Sequence, residues 1–414
     1  MKRGLTLALA ACFLIALCAS ACAATEVKIW HTFTEGQQAA LEKYAADFNA
    51  SQSDYTVILE SQAFSGFTDA VYQATANGVG PSIIFNYGSE AAKYVPDGKV
   101  VNMKPYIYDP EIGMVDVYES MPDSLRGEVE GFEKEGIYYL PSYTTGPVLF
   151  YNKTLFDEMG FAPPKTWEEL AEQAKAIYEE KGISGYTGAD GLTDLMQTLI
   201  LQSGSTYIDV ANKVVGFDNE ETLKWLTWYG ENVQNEYFLD GPTISDYISS
   251  DFNAGNVASY SGSCAGEPYI DPNGFEFSCA PLPKAITTEW YPSWNRGPIV
   301  FDKGDDANRG AYLFVRYLLS PEVNADWVQK VNALSPYGTT QACDAYKAYS
   351  ANLTVSLQAL QANLDVAGAL PNVTGSARVR DALKETLQKV GGGMDPAEQL
   401  KELVDTCNKA LQGK

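Results

Sequence analysis

Residues Glu26 to Phe33 (Glu-Val-Lys-Ile-Trp-His-Thr-Phe) alternate polar and apolar, the period-two pattern of a strand with one buried face. From Glu35 to Asn49 the period lengthens, and Leu41, Tyr44, Ala45 and Phe48 fall on one helical face. Tyr55–Leu59 predicts a second strand, Ser65–Ala76 a second helix and Pro81–Tyr87 a third strand. Strand and helix alternating over residues 26–87 is the βαβ signature of a parallel sheet covered on both faces.

A second run of the same kind follows. Gly136–Pro141 and Pro147–Asn152 are strand-like. Thr166 and Glu169 have capping-box spacing, Pro163 and Pro164 stop anything upstream, and the helix they start turns Leu170, Ala174 and Ile177 inward. Helices are expected near 191–203 and 218–235, and strands near 256–261 and 274–280. The last third reads as helices at 307–319, 321–332, 351–363, 376–390 and 395–411. Gly391-Gly-Gly393 breaks a helix rather than linking domains. Two α/β halves without a flexible linker predict a chain that crosses between lobes more than once, with its ligand in the cleft at the carboxyl ends of the strands.

The N-terminus is of another kind. Lys2 and Arg3 precede an apolar stretch from Leu5 to Leu17, shorter than the roughly 20 residues a membrane-spanning helix requires. Residues 1–22 therefore read as an export signal. Ala19-Ser-Ala-Cys22 resembles a lipobox, which makes Cys22 the expected site of acylation; Ala19 stands where Leu is more usual, and cleavage at the Ala-x-Ala without a lipid is the alternative. Either way the protein acts outside the cytoplasm, lipid-anchored to a cell membrane or periplasmic.

With 45% apolar residues the chain can build one or two sizeable cores. Its formal net charge of −24 becomes more negative once Lys2 and Arg3 leave. Such a surface repels nucleic acid and anionic lipid. His31 is the only histidine, which excludes multi-histidine metal sites and leaves a triad one place to run through. Neither a phosphate-cradling glycine loop nor a nucleophile elbow occurs, so neither catalysis nor a cofactor is expected. A glycosidase or lyase would need two spaced carboxylates in the cleft, and a surface adhesin would bind no small molecule.

Tyr139–Gly160 (YLPSYTTGPVLFYNKTLFDEMG) followed by Pro163-Pro-Lys-Thr-Trp167 resembles the extracellular solute-binding proteins of bacterial ABC importers, in the branch serving sugars and glycerol phosphates. Trp30-His31-Thr32, Phe48-Asn-Ala-Ser51, Pro81-Ser-Ile-Ile84, Phe252-Asn-Ala-Gly-Asn256, Ala280-Pro-Leu-Pro283 and Leu334-Ser-Pro336 stand in the order that family shows. The resemblance implies a periplasmic-binding-protein-like fold of two α/β lobes joined by multiple hinge crossings. The N-lobe would comprise 26–135 and 284–334, the C-lobe 136–283 and 335–414. It also implies a monomer that captures a carbohydrate and delivers it to the permease subunits, with sn-glycerol 3-phosphate or a glycerophosphodiester as the alternative ligand.

The expected ligand contacts follow from that plan. Trp30 and His31 end the first strand and Tyr87 the third, with Glu90 nearby; Tyr143 and Thr144 lie in a hinge loop. Tyr186 and Asp190 occupy a loop that is Trp-rich in glycerol-phosphate binders, a departure that favours neutral carbohydrate. Tyr260 enters the cleft, and Trp290, Trp294 and Arg296 form an aromatic and cationic cluster within an expected turn. Four cysteines remain in the body, and an even number in an oxidising compartment suggests disulfides. Of the three pairings, Cys264–Cys279 and Cys343–Cys407 are expected, because each lies within one predicted subdomain.

Overall fold

The computed structural model describes residues 24–413 apart from 189–191, 286–287 and 372. The signal segment, Cys22 and Asp190 therefore lie outside the described residues. In chain order the first strands are β1 (Thr25–His31), β2 (Tyr55–Ser61), β3 (Ile83–Tyr87), β4 (Tyr143–Thr145), β5 (Pro147–Asn152), β6 (Tyr186–Gly188) and β7 (Thr206–Asp209). Then come β8 (Val214–Gly216), β9 (Phe238–Leu239), β10 (Ser259–Ser263), β11 (Phe277–Ala280), β12 (Tyr291–Pro292), β13 (Trp294–Val300) and β14 (Ala367–Gly368).

Two five-stranded sheets organise the two lobes, one ordered β2-β1-β3-β13-β4 and the other β11-β5-β10-β6-β9. In the first, β1 runs parallel to β2 and β3, as the alternating pattern predicts. Its buried Val27 and Ile29 meet the helix Glu35–Ser51 through Leu41, Tyr44, Ala45 and Phe48. The sheet is nevertheless mixed, because β13 pairs antiparallel with both β3 and β4. Gly297 and Pro298 make Trp294–Val300 read as a turn, yet the glycine is what lets this strand in. A β-carbon at Gly297 would lie 1.9 Å from the Leu140 carbonyl oxygen.

The strand expected at Gly136–Pro141 does not form. That segment runs beside β13 with a single bond from the Leu140 N–H to the Pro298 carbonyl, and the prolines at 141 and 298 each remove a donor from the ladder. The strand at this edge is β4 instead. Ile137–Leu140, Tyr143, Tyr337 and Tyr346 all pack into the core of the first sheet.

In the second sheet, period two decides which core each side chain joins. On β5, Leu149 and Tyr151 face the larger core, and Val148 and Phe150 face a smaller one with Tyr260 and Leu357. Both faces are covered, so the strand is one apolar run. The Thr166 hydroxyl caps the helix Trp167–Lys181 by accepting from the Glu169 N–H at 3.1 Å, and Trp167, Leu170, Ala174 and Ile177 turn inward.

Only Gly146 separates β4 on one sheet from β5 on the other. A β-carbon there would come to 2.8 Å from the Pro292 carbonyl oxygen and from Leu360. The chain returns between β11 and β13, and crosses again where Ala333 joins the first core and Leu334 the smaller core of the second sheet. Reciprocal backbone bonds of 2.8 and 3.0 Å tie Leu334 to Thr144, so two of the crossings are stitched together.

The expected disulfides are not present: Cys264, Cys279, Cys343 and Cys407 are free thiols. Cys343 packs against the first core and Cys407 lies within the larger core of the second sheet, in different lobes. Cys279 sits on β11 and Cys264 directly follows β10, on opposite sides of β5. Two strand spacings are about 9.6 Å, beyond the ~7 Å that a disulfide tolerates between α-carbons.

Candidate functional site

Between the lobes lies a cavity of about 670 Å³, walled from the first lobe, the returning crossing and the second lobe together. The first-lobe wall starts where β3 ends. Tyr87 is 44% exposed, and its hydroxyl is raised above its ordinary value by desolvation, against the opposing charge of Arg296. The short helix Gly88–Ala92 that follows carries Glu90, which is buried, paired with Lys93 at 2.7 Å and accepts from the Tyr94 hydroxyl at 3.1 Å. The helix Asp123–Glu130 supplies Glu128, whose carboxylate accepts from the Tyr139 hydroxyl and from the Asn295 amide at 2.6 Å.

The crossing forms the floor. Asn295 is 1% exposed; its amide also donates to the Ser293 hydroxyl at 3.1 Å, and its oxygen accepts from Thr144 at 2.8 Å. Trp294 beside it is half-buried, and the Trp290 indole stands against the backbone of Gly368. β12 pairs with β14 in register, Pro292 opposite Gly368, which brings residues 368–371 and 373–377 to the same wall.

On the second-lobe side the helices Thr193–Gln202 and Ser376–Gly391 meet. Arg380 pairs with Asp194 at 2.7 Å and donates to the Gln197 side-chain amide oxygen at 2.7 Å. The Gln197 amide in turn donates to the Tyr207 hydroxyl at 2.8 Å. The cavity thus combines four aromatic side chains, Tyr87, Tyr207, Trp290 and Trp294, with carboxylate, amide and guanidinium groups already held by neighbours. Ring faces beside fixed donors and acceptors suit a ligand with apolar C–H faces and hydroxyl edges. Among the described residues no cluster of histidine, cysteine and carboxylate side chains could hold a metal ion.

Of the expected contacts, Tyr87, Glu90, Trp290 and Trp294 line the cavity. Trp30, His31, Tyr143, Thr144, Tyr186, Tyr260 and Arg296 stand outside its wall. Trp30 packs on the first core with its indole N–H bonded to Glu60 at 2.6 Å, and His31 is 2% exposed beside Phe33. Arg296 lies over the Phe33 ring and donates to the Phe85 carbonyl at 3.1 Å and the Thr32 hydroxyl at 3.0 Å. Beside it, burial pushes the Tyr143 hydroxyl up to about 12. Thr144 is spent on Asn295, Tyr186 on the Ser261 hydroxyl at 2.8 Å, and Tyr260 stacks on Phe150 at 4.8 Å.

The wall residues that pattern reading passed over are Glu128, Asp194, Gln197, Tyr207 and Arg380. On a helix pattern, carboxylates and arginines look like a solvated face, and only the meeting of two helices turns them inward. Trp290 is already marked in the sequence, as an aromatic four residues before Trp294 in a segment without helical period.

Residues 43–354 match the family described as bacterial extracellular solute-binding protein. The chain is 24% identical over 340 residues, 76% of its length and 75% of the relative's, to the sn-glycerol-3-phosphate-binding periplasmic protein UgpB of Yersinia pseudotuberculosis. Its fold resembles the cyclic alpha-maltosyl-1,6-maltose binding protein of Arthrobacter globiformis (TM-score 0.79, 21% identity, 94% of this chain and 100% of that one). It equally resembles the ABC substrate-binding protein Lmo0181 of Listeria monocytogenes in complex with cycloalternan (TM-score 0.78, 17% identity, 94% and 99% covered).

Proposed function

Because the chain belongs to the bacterial extracellular solute-binding proteins, we propose that its interlobe cleft captures a neutral oligosaccharide and passes it unaltered to an ABC permease. The charge balance of the cleft wall carries this reading. Lys93 is paired with Glu90 and Arg380 with Asp194, while Glu128 adds a third carboxylate. Three acids against two paired cations leave the wall net negative, which disfavours a phosphate dianion and leaves hydroxyl partners intact. Size argues the same way, since about 670 Å³ lies well inside the ~300–1,000 Å³ range of sites for drug-sized ligands and is generous for a three-carbon phosphate.

sn-Glycerol 3-phosphate is the second reading, favoured by the relative of that name and by the presence of Arg380 in the wall. Affinity for a sugar would come from stacking on the tryptophans, because hydroxyls exchanging water for protein partners gain little. Both lobes contribute to the wall, so a ligand touching both stabilises the closed arrangement. In this reading Cys22 is the acylated residue that holds the protein at a membrane, and a Cys22→Ser variant leaves with the soluble fraction.

A thermal-shift screen with maltose, maltotriose, maltotetraose, cellobiose and sn-glycerol 3-phosphate, followed by calorimetry, tests the assignment. A neutral sugar should raise Tm and bind one-to-one without product. A shift with glycerol phosphate alone would overturn it.

A further inference from the structure

Beside the main cleft lies a smaller cavity of about 150 Å³, lined by Val95, Phe132, Glu133 and Lys134. Ala92, Pro96 and Thr374 stand in the walls of both cavities. Thr374 is also where the two lobes touch, since its hydroxyl donates to the Glu133 carboxylate at 3.1 Å. The same carboxylate faces the Lys213 ammonium at 3.7 Å. Phe132 packs in the first core, while Val373 and Val215 pack in the larger core of the second sheet, so Glu133 spans the cleft between lobes.

A space of ~150 Å³ accepts one six-membered ring. Its lining combines the apolar residues Val95, Pro96 and Phe132 with the polar residues Thr374, Glu133 and Lys134. That mixture suits a pyranose, whose C–H face packs while its hydroxyls bond. We propose that the small cavity is a further subsite, taking one terminal ring of an oligosaccharide longer than the main cleft holds. The Thr374–Glu133 bond is its door, and a ring hydroxyl replaces that bond when the door opens. The proposal rests on the carbohydrate reading above.

Calorimetry with the series from maltose to maltopentaose tests it on the full-length protein and two variants at the exposed Glu133. In the parent, affinity should rise at one step of the series by about tenfold, the gain from burying roughly 60 Å² of ring surface. Glu133→Trp places an indole in the cavity and should abolish that step while leaving shorter sugars as tight as before. Glu133→Ala removes the door without crowding the fold and should keep or enlarge the step. Equal weakening at every chain length in both variants would reduce Glu133 to a clasp between lobes and overturn the subsite alone. No heat from any member of the series would overturn the glucan reading and the subsite with it.

Discussion

Gly368 is packed so closely against Trp290 that a β-carbon on it would lie 2.4 Å from the indole Nε1. The glycine therefore sets where the tryptophan stands in the cleft wall. Its own position is fixed by the pairing of β14 with β12 and by the Ser293 N–H bonding the Gly368 carbonyl at 2.8 Å. Gly368→Ala should push the indole aside and weaken sugar binding, while a thermal melt moves little because the site lies at a rim rather than in a core. Calorimetry on that variant and on Trp290→Ala should give losses of the same order; an unchanged Kd in Gly368→Ala would mean the indole does not meet the ligand.

Trp294 and Trp30 make a matched contrast. Trp294 lines the cavity, whereas Trp30 packs on the first core and spends its N–H on Glu60. Trp294→Ala should cost about 1–3 kcal/mol of binding with a modest change in Tm. Trp30→Ala should lower Tm and leave affinity close to the parent's. The reverse outcome would move the ligand to the carboxyl end of β1.

The lobes themselves were legible because their signals are local. β1 alternates, the helix Glu35–Ser51 keeps its period, and the Thr166 cap stands where its spacing puts it. The site was less so, since it is made where separate elements meet. Arg380 and Asp194 lie 186 residues apart and look like ordinary helix-surface charges until the two helices cross. Arg296 and Tyr143 show the opposite case, chemically attractive residues that the structure draws into packing where Trp294–Val300 forms an internal strand.

All four body thiols should react with an alkylating reagent in denatured, unreduced protein, because none is paired. In the native state burial pushes Cys264 and Cys407 up to about 12, so their thiolate fraction at pH 8 is on the order of 10⁻⁴. Cys279 is half-buried like Cys343, but desolvation raises its thiol too, so Cys343 should be modified first among the folded protein's thiols. Mass spectrometry over a time course checks this order. Fewer than four modified cysteines after denaturation without reductant would restore a disulfide.

The dependence of stability on pH should trace to His31. It is the sole histidine, it is 2% exposed, and its Nδ1 has no hydrogen-bond partner. Desolvation holds the imidazole below its ordinary value, while the Phe33 backbone and the charge of Glu42 pull the other way. Since the folded pKa is the lower one, the unfolded chain takes up the proton first as pH falls. Stability is thus complete above the unfolded value of about 6.5 and declines as the pH drops toward the folded one, by at most ~1.4 kcal/mol for each unit separating them. Melting curves between pH 7 and pH 5 should show Tm falling in the parent, and a flatter profile in His31→Phe, whose ring replaces the imidazole beside Phe33. Equal slopes in both proteins would assign the acid sensitivity to carboxylates instead and leave His31 a packing residue whose protonation the fold does not feel.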